Sequence, residues 1–141
     1  MKKKLRLHPK DRKQQLDHFI IKAVAQHGIS RVTHSHVCVL AGVSVSTVHF
    51  YYKRRKDLVN AAIKQVEDFL IEMFATNLEQ DSEIDALTDL AAAFVKEGFE
   101  NPDLIKVWLD WSAGINQSVW REYQNLLKRL HESVRQILAR G

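Results

Sequence analysis

The sequence predicts an all-α protein, with a small N-terminal helix-turn-helix domain followed by a helical bundle. Only five glycines and two prolines occur in 141 residues, and no long segment alternates apolar and polar side chains as a strand would. Apolar residues instead recur at the three- and four-residue spacing of helices. A chain of this length, 45% hydrophobic, can bury one core and at most a small second one.

The first predicted helix begins near Pro9 and ends at Gly28. Proline fits the first turn, where its missing N–H would have no helical partner, and glycine is the usual residue just beyond a helix end. The apolar face between them comprises Leu16, Phe19, Ile20, Ala23, Val24 and His27.

The stretch from Thr33 to Leu58 has the layout of a DNA-reading helix-turn-helix. A short helix is expected at about 34–40, then a tight turn at 41–43, then a second helix opened by Ser44, a good N-cap residue. Four cations at 53–56 follow directly. The start of the second helix can enter a major groove while the basic cluster holds phosphates.

Four longer helices are predicted in the remainder, at about 56–77, 83–99, 102–113 and from 116–118 to 140. Ser82 with Asp85 resembles a capping box for the second of these. Asn101 is the expected cap of the third, with Pro102 at its first position, and Gly114 breaks it. The apolar positions of the last helix are Trp120, Tyr123, Leu127, Leu130, Val134 and Ile137.

Charge divides the chain into two halves, which we assign as domains 1–55 and 56–141. Residues 1–60 hold thirteen Lys or Arg against three Asp, a balance of +10, whereas residues 61–141 hold eight against fourteen acidic side chains, a balance of −6. The concentrated positive charge indicates a polyanion partner, and double-stranded DNA is the natural one. A basic arm at 2–6 could enter an adjacent minor groove. A continuous helix across the boundary would pass rotations of the acidic half to the reading head.

The second helix of the motif carries the predicted base-reading side chains. Val45 and Phe50 can touch a thymine methyl, and Ser46 and His49 can exchange hydrogen bonds with base edges. Ser44, as N-cap, leaves backbone N–H groups open to a phosphate. The other predicted phosphate contacts are Thr33, Thr47, Tyr51, Lys53, Arg55 and Lys56.

Thr33 to Leu58 resembles the N-terminal domain of the TetR family of bacterial transcriptional regulators. The pattern is carried by Thr33, Val37-Cys38, Ala41-Gly42-Val43-Ser44, Ser46-Thr47-Val48 and Arg55 to Leu58. More narrowly, residues 12–16, 43–48, 106–113 and 119–120 resemble the LuxR/HapR-type quorum-sensing regulators of that family. The resemblance implies a DNA-binding transcriptional regulator, and Arg12, in the first of these motifs, joins the predicted DNA contacts.

Three positions depart from the pattern and imply a different recognised sequence. His49 stands where the family usually has an aromatic residue, Phe50 where the subgroup has a polar one, and Lys56 where the usual residue is acidic. The family normally adds two further helices, which form the dimer interface, beyond the point where this sequence stops, so the expectation is either a fragment or a different mode of association. The resemblance therefore implies a homodimer where such helices are present.

In this family the C-terminal helices enclose a small-molecule pocket, and the acidic half offers an aromatic-rich wall for a small apolar effector. By resemblance Trp108 is the strongest lining candidate, and Leu127 with His131 would replace amides of the subgroup. A filled core without a cavity would show the same aromatic spacing. The predicted wall is Phe69, Met73, Phe74, Trp108, Trp111, Trp120, Tyr123, Leu127 and His131.

Enzymatic and metal sites are not expected from the same residues. Ser44 lies near His49 in the motif, but no acid orients the histidine and no oxyanion donors face it. His34 and Cys38 have the i, i+4 spacing of zinc ligands and His36 is near, yet no fourth ligand is visible, so no cofactor is predicted.

No run of eighteen apolar residues could span a membrane and no secretory signal is visible, so the expected location is cytoplasmic. The lone Cys38 is expected to be a buried thiol, and core packing competes with DNA contact for Phe50 and, more strongly, for Tyr52.

Six of seven histidines fall in the first fifty residues, which suggests that DNA affinity rises on acidification. The competing function is a DNA-bound helical adaptor whose second half binds a protein.

Overall fold

The structure, a computed structural model, describes residues 8–77, 82–114 and 119–139 and forms seven α-helices within them. No β-strand occurs in these ranges, so the predicted all-α class with an N-terminal helix-turn-helix is confirmed. No helix in the same ranges combines the length and apolar content needed to cross a bilayer. The helices are α1 (Pro9–His27), α2 (His34–Ala41), α3 (Val45–Tyr51), α4 (Arg55–Asn77), α5 (Glu83–Glu100), α6 (Pro102–Ser112) and α7 (Trp120–Leu138).

Local caps end most helices where the sequence predicts them. Gly28 and Gly42 follow α1 and α2 with φ values of 87° and 68°, a left-handed region that favours glycine. Ser44 and Ser82 begin α3 and α5, and each hydroxyl accepts a hydrogen bond from the backbone N–H three residues later. Residue types that satisfy the unpaired backbone groups at helix ends therefore predicted these helix boundaries.

The later helices differ from the prediction at one cap. The side chain of Asn101 does not cap α6, because its amide donates to the Glu97 carboxylate in the preceding helix instead. A hydrogen bond to a charged acceptor is the stronger choice for that amide. Pro102 does occupy the first turn of α6, as expected. The predicted start of the last helix at 116–118 and its end at 140 lie outside the described residues.

The chain divides into two compact units, Met1–Ala62 and Ile63–Gly141. The division lies within α4, and the predicted boundary between residues 55 and 56 lies at the start of the same helix. Each unit has its own buried apolar side chains.

The core of the first unit is aliphatic. Leu16, Ile20 and Val24 recur every four residues on α1 and are buried, together with Val37 of α2 and Val48 of α3. This spacing gives α1 one apolar stripe, against which α2 packs, and α3 packs against α2 in turn. The packing fixes the position of the short α3.

The second unit is built around Trp111, whose side chain is buried. Its indole N–H donates to the carbonyl oxygen of Val119 at 2.8 Å, so the polar atom of this large residue is satisfied. Leu70 of α4, Val107 of α6 and Leu126 of α7 are also buried. These residues show that α4, α6 and α7 each contribute to the core of this unit.

Alanine substitution should have opposite effects at two glycines. A Cβ added at Gly42 or Gly98 would meet no atom within 4 Å, so neither change causes a clash. At Gly42, where φ is +68°, alanine should lower the free energy of unfolding by about 1 kcal/mol, because L-residues disfavour this region. Gly98 lies inside α5, where alanine should raise that free energy by about 0.5–1 kcal/mol.

Denaturant titration of both variants measures the two changes. A Gly42→Ala variant as stable as the unaltered protein would contradict the left-handed turn described above.

Candidate nucleic-acid interface

The turn between α2 and α3 is built from backbone geometry and a small hydroxyl cluster. Gly42 has φ 68° and ψ 31°, and its N–H donates to the Cys38 carbonyl at 2.9 Å, which closes α2. The Ser44 hydroxyl accepts from the Thr47 N–H at 3.2 Å and lies 2.8 Å from the Thr47 hydroxyl and 3.0 Å from that of Ser46. These contacts set the direction in which α3 leaves the turn.

One face of α3 is buried and the other is open. Val48 is fully buried, whereas Val45 is 43% exposed and Phe50 74% exposed. Ser46 and His49 are exposed on the same side. All four side chains predicted to read bases therefore share one open face of the helix.

The two aromatic residues with competing interpretations separate clearly. Phe50 is exposed, so core packing is not its role in this structure. Tyr52 is 5% exposed, and its hydroxyl donates a hydrogen bond to the Asp17 carboxylate of α1. Burial and this hydrogen bond raise the pKa of the Tyr52 phenol. The ammonium of Lys13 lies 5.9 Å from the centre of the same ring. Tyr52 thus ties the end of α3 to α1.

Most predicted phosphate contacts lie at the surface. Lys53, Lys56 and Thr33 are exposed, although the Thr33 hydroxyl already accepts from the His36 N–H as the cap of α2. Tyr51 is half-buried, with its ring edge-on to that of Phe50 at 5.0 Å. The predicted minor-groove arm at 2–6 lies outside the described residues.

Arg55 has internal partners that its sequence position does not indicate. Its guanidinium donates to the carbonyl oxygens of Ile29, at 2.8 and 2.9 Å, and Ser30, at 3.0 Å. These carbonyls follow α1, so the planar fork of an arginine holds the connection between α1 and α2. A direct phosphate contact by Arg55 remains a prediction, and it would compete with these hydrogen bonds.

Arg12 lines an open groove beside the turn. Its guanidinium donates to the Gln15 side-chain oxygen at 2.8 Å, one helical turn further along α1. The groove has a volume of about 320 Å³, and a cation beside several hydroxyl groups at its wall suits a phosphate. Neither Gln15 nor Asp17 is among the predicted site residues; the i, i+3 spacing of Arg12 and Gln15 is the signal that could have indicated the first. The lining residues are Arg12, Gln15, Ala41, Gly42, Val43, Ser44 and Thr47.

Four histidines of this unit form two stacked pairs. His27 of α1 stacks on His36 of α2 with ring centres 3.5 Å apart, and His34 of α2 stacks on His49 of α3 at 3.8 Å. The predicted burial of His27 on the apolar face of α1 is wrong, since its side chain is exposed and pairs with the other ring.

His36 is held in its neutral form by its surroundings. Its Nδ1 accepts a hydrogen bond from the Thr33 N–H at 3.1 Å, a role that requires an unprotonated nitrogen. Burial, and then the proximity of His27, lower the pKa of His36 below its usual range. Its place in the first turn of α2 further disfavours a cation.

The residues weighed as zinc ligands have other contacts. The His34 ring bonds to the Tyr52 carbonyl at 2.6 Å, and His36 completes the cap of α2. Cys38 is buried, and burial raises the pKa of its thiol, as expected for an unreactive core cysteine. Within the described ranges, no three His, Cys, Asp or Glu side chains are grouped so that they could hold a metal ion.

The predicted ligand wall separates into two aromatic clusters in the second unit. In one, Phe74 meets Phe94 edge-on at 6.1 Å, and Phe94 stacks on Trp108 at 5.5 Å. In the other, Tyr123 stacks on Trp120 at 4.9 Å and meets Trp111 at 5.3 Å. Trp111 and Tyr123 are buried core residues.

Trp108 contains a polar atom that the core does not satisfy. Its indole nitrogen is buried and has no hydrogen-bond partner among the described residues, whereas the indole of Trp111 is bonded. Such a group costs about 1–3 kcal/mol unless something else accepts its hydrogen bond.

Two surface grooves hold other members of the predicted wall. One, of about 280 Å³, contains Phe69 and Met73; the other, of about 440 Å³, contains Phe74 beside Lys128 and Arg129. Leu127 is half-buried and His131 is exposed. The structure therefore distributes the nine predicted residues among several environments, and their joint role as a pocket remains a prediction.

Comparisons with known proteins support the resemblance found in the sequence. The chain is 31% identical over 116 residues to the HTH-type transcriptional regulator LuxR of Vibrio harveyi, an alignment that covers 82% of this chain. It superimposes on a TetR-like transcriptional regulator from Rhodococcus sp. RHA1 with a TM-score of 0.82 and 18% identity, over 96% of this chain and 74% of that one. No family model matches the chain. The predicted resemblance to the TetR family and the predicted TetR-like helical fold are thereby confirmed.

The chain spans 57% of the length of the LuxR relative.

The state of His36 predicts how stability depends on pH. Because the pKa of His36 is lowered in the folded protein, the unfolded chain takes up a proton first as pH falls through about 6.5. The stabilising contribution of neutral His36 is thus fully present above that pH, and it is lost as pH falls through the pKa of His36 in the folded protein. His36→Gln keeps an acceptor for the Thr33 N–H without a titrating group. This variant should lose less stability than the unaltered protein between pH 7 and pH 5.

Denaturant midpoints at the two pH values measure this difference. His18→Gln serves as the control for loss of a histidine, because His18 is an exposed residue of α1 that takes no part in a cap. Equal losses for His36→Gln and the unaltered protein would contradict the assignment.

Proposed function

We propose that this protein is a sequence-specific DNA-binding transcriptional regulator. Its sequence pattern and its fold resemble those of the TetR family. The observation that carries the proposal is the open face of α3, where Val45, Ser46, His49 and Phe50 are all exposed beside a cationic segment. A short helix with apolar and hydrogen-bonding side chains on one face can read base edges in a major groove.

Affinity and sequence selection are assigned to different residues. Lys53, Lys56 and the groove beside Arg12 supply cations and hydroxyl groups for phosphates, which fix position without reading sequence. Val45 and Phe50 supply apolar contacts for thymine methyl groups, and Ser46 and His49 supply hydrogen bonds. The net charge of +10 in residues 1–60 supports this division, because phosphate neutralisation dominates DNA affinity.

We further propose that a small, largely apolar effector regulates the protein through the second unit. The support is the buried indole N–H of Trp108, which has no acceptor in the described residues and lies against the aromatic ring of Phe94. An effector with one hydrogen-bond acceptor on an apolar body would satisfy that donor. Regulation by such a ligand would make Trp108 its polar anchor.

A second candidate function has its own observation. Ile84, Val95 and Phe99 of α5 are 75%, 63% and 85% exposed and share one stripe at helical spacing. An open apolar stripe of this kind favours a protein partner, as in an adaptor that remains bound to DNA. In that case the second unit would recognise a protein in place of an effector.

Selection of bound fragments from genomic DNA with the purified protein tests the main proposal. A recurring sequence is the expected result, and its half-site spacing would report whether two copies bind together as a homodimer. Failure to bind any duplex at low ionic strength, with the protein folded, would refute DNA recognition.

Two substitutions separate the assigned roles at the DNA. Lys53→Ala should weaken binding to all duplexes by a similar factor and reduce the slope of log affinity against log salt by about one, because a phosphate contact is lost. Phe50→Ala should change the preferred sequence and leave the salt slope unchanged. Binding curves on specific and scrambled duplexes at several salt concentrations measure both. Equal losses on every sequence from both variants would refute the division of roles.

A thermal-shift screen with apolar small molecules tests the effector, since a ligand of the folded state must raise the unfolding midpoint. Trp108→Phe should abolish the shift caused by any hit that carries an acceptor, because the indole donor is lost. Trp111→Phe is the matched control. It removes an indole donor already bonded to Val119, so it should lower the midpoint but retain the ligand-induced shift. Unchanged shifts in Trp108→Phe would remove Trp108 as anchor, and an absence of hits would favour the protein partner.

A further inference from the structure

The imidazole of His34 makes two contacts with the recognition helix at the same time. Its Nε2 lies 2.6 Å from the backbone oxygen of Tyr52, the residue that follows α3. Its ring lies almost parallel to that of His49, with ring centres 3.8 Å apart and an interplanar angle of 12°. One side chain of α2 thus contacts both the end of α3 and a side chain on its open face.

The hydrogen bond fixes the orientation of the His34 ring. A carbonyl oxygen only accepts, so the proton must reside on Nε2 of His34. The carbonyl belongs to the C-cap of α3, where backbone oxygens lack partners within the helix. An anchored ring is then a rigid surface for its neighbour.

The neighbouring His49 side chain has rotamer freedom that a contact can restrict. Its side chain is exposed at the last turn of α3, and an exposed imidazole would otherwise exchange among several rotamers. Contact with an anchored ring selects one of them. A side chain already held in its bound orientation loses less conformational entropy when it binds. Base pairs that do not fit that orientation gain less from the contact.

We propose that His34 is a positioning residue for DNA reading, which holds the His49 ring in the orientation that meets a base edge. His34 itself touches no base and acts through His49. The inference rests on the proposed function, in which His49 is one of the base-reading side chains. It assigns a role in sequence selection to a residue of α2, outside the recognition helix.

A double-mutant cycle tests the proposal. Sequence selection from randomised duplexes, with the unaltered protein and with His49→Ala, first identifies the base pair that residue 49 reads. His49→Ala should reduce the preference there by about fivefold or more, the discrimination expected of a base contact. His34→Ala should reduce the preference at the same base pair, and should cause no further loss when His49 is already alanine.

Two additional variants separate the stacked ring from the hydrogen bond and remain informative if His34→Ala does not fold. His34→Phe keeps a ring but has no donor, and His34→Gln keeps a donor but has no ring. His34→Phe should retain the preference better than His34→Gln. Ser35→Ala, at an exposed neighbour on α2, is the control and should leave the selected sequence unchanged.

A readout without DNA monitors the contact directly. In proton NMR spectra, the His49 ring signals should carry a ring-current shift that His34→Ala and His34→Gln remove and His34→Phe retains. Additive losses in the cycle, or equal losses at every base pair, would overturn the positioning role while DNA recognition stands. If the unaltered protein binds no duplex at all, the proposed function fails and this role fails with it.

Discussion

A helix of seven residues cannot maintain itself, and the proposed reading surface depends on the contacts at the two ends of α3. Isolated helices shorter than about 12–15 residues are marginal in water. At the start, the left-handed turn at Gly42 and the Ser44 cap set the direction of the helix. At the end, Tyr52 is buried, its hydroxyl bonded to Asp17 and its carbonyl to His34. Because these contacts hold the two ends of α3, its exposed face does not have to stabilise the helix and can carry side chains suited to a ligand.

Local chemistry explains why the helices could be predicted and long-range contacts explain what could not. Ser44 predicts a helix start because its hydroxyl satisfies a backbone N–H a few residues away, a property of the residue type. Arg55 looks like a phosphate ligand by type and position, yet it bonds to a carbonyl 26 residues earlier in the chain. The crowding of histidines is visible in the sequence. Their pairing depends on how α1 and α2 pack, and so do the burial and, after it, the proximity of His27 that lower the pKa of His36.

The aromatic residues of the second unit show the same limit in another form. Aromatic residues at helical spacing are what both a filled core and a ligand cavity require, so residue type alone cannot separate them. Packing assigns Trp111 to the core, with its N–H bonded to Val119, and leaves the N–H of Trp108 buried without a partner in the described residues. The distinction between two tryptophans three positions apart thus rests on one hydrogen bond. It is the reason that Trp108 carries the proposal for an effector.

The internal use of Arg55 changes how the basic segment at 53–56 can act. Carbonyl oxygens accept hydrogen bonds from its guanidinium but do not neutralise its charge, so Arg55 still contributes to the positive potential around the first unit. That potential acts over roughly 8–10 Å at physiological salt, and it attracts DNA without a direct contact. Lys53 and Lys56, both exposed, remain free to neutralise phosphates. Arg55 therefore both shapes the fold and adds to the positive potential, while in the proposed function Lys53 and Lys56 make the phosphate contacts whose counterion release a salt titration measures.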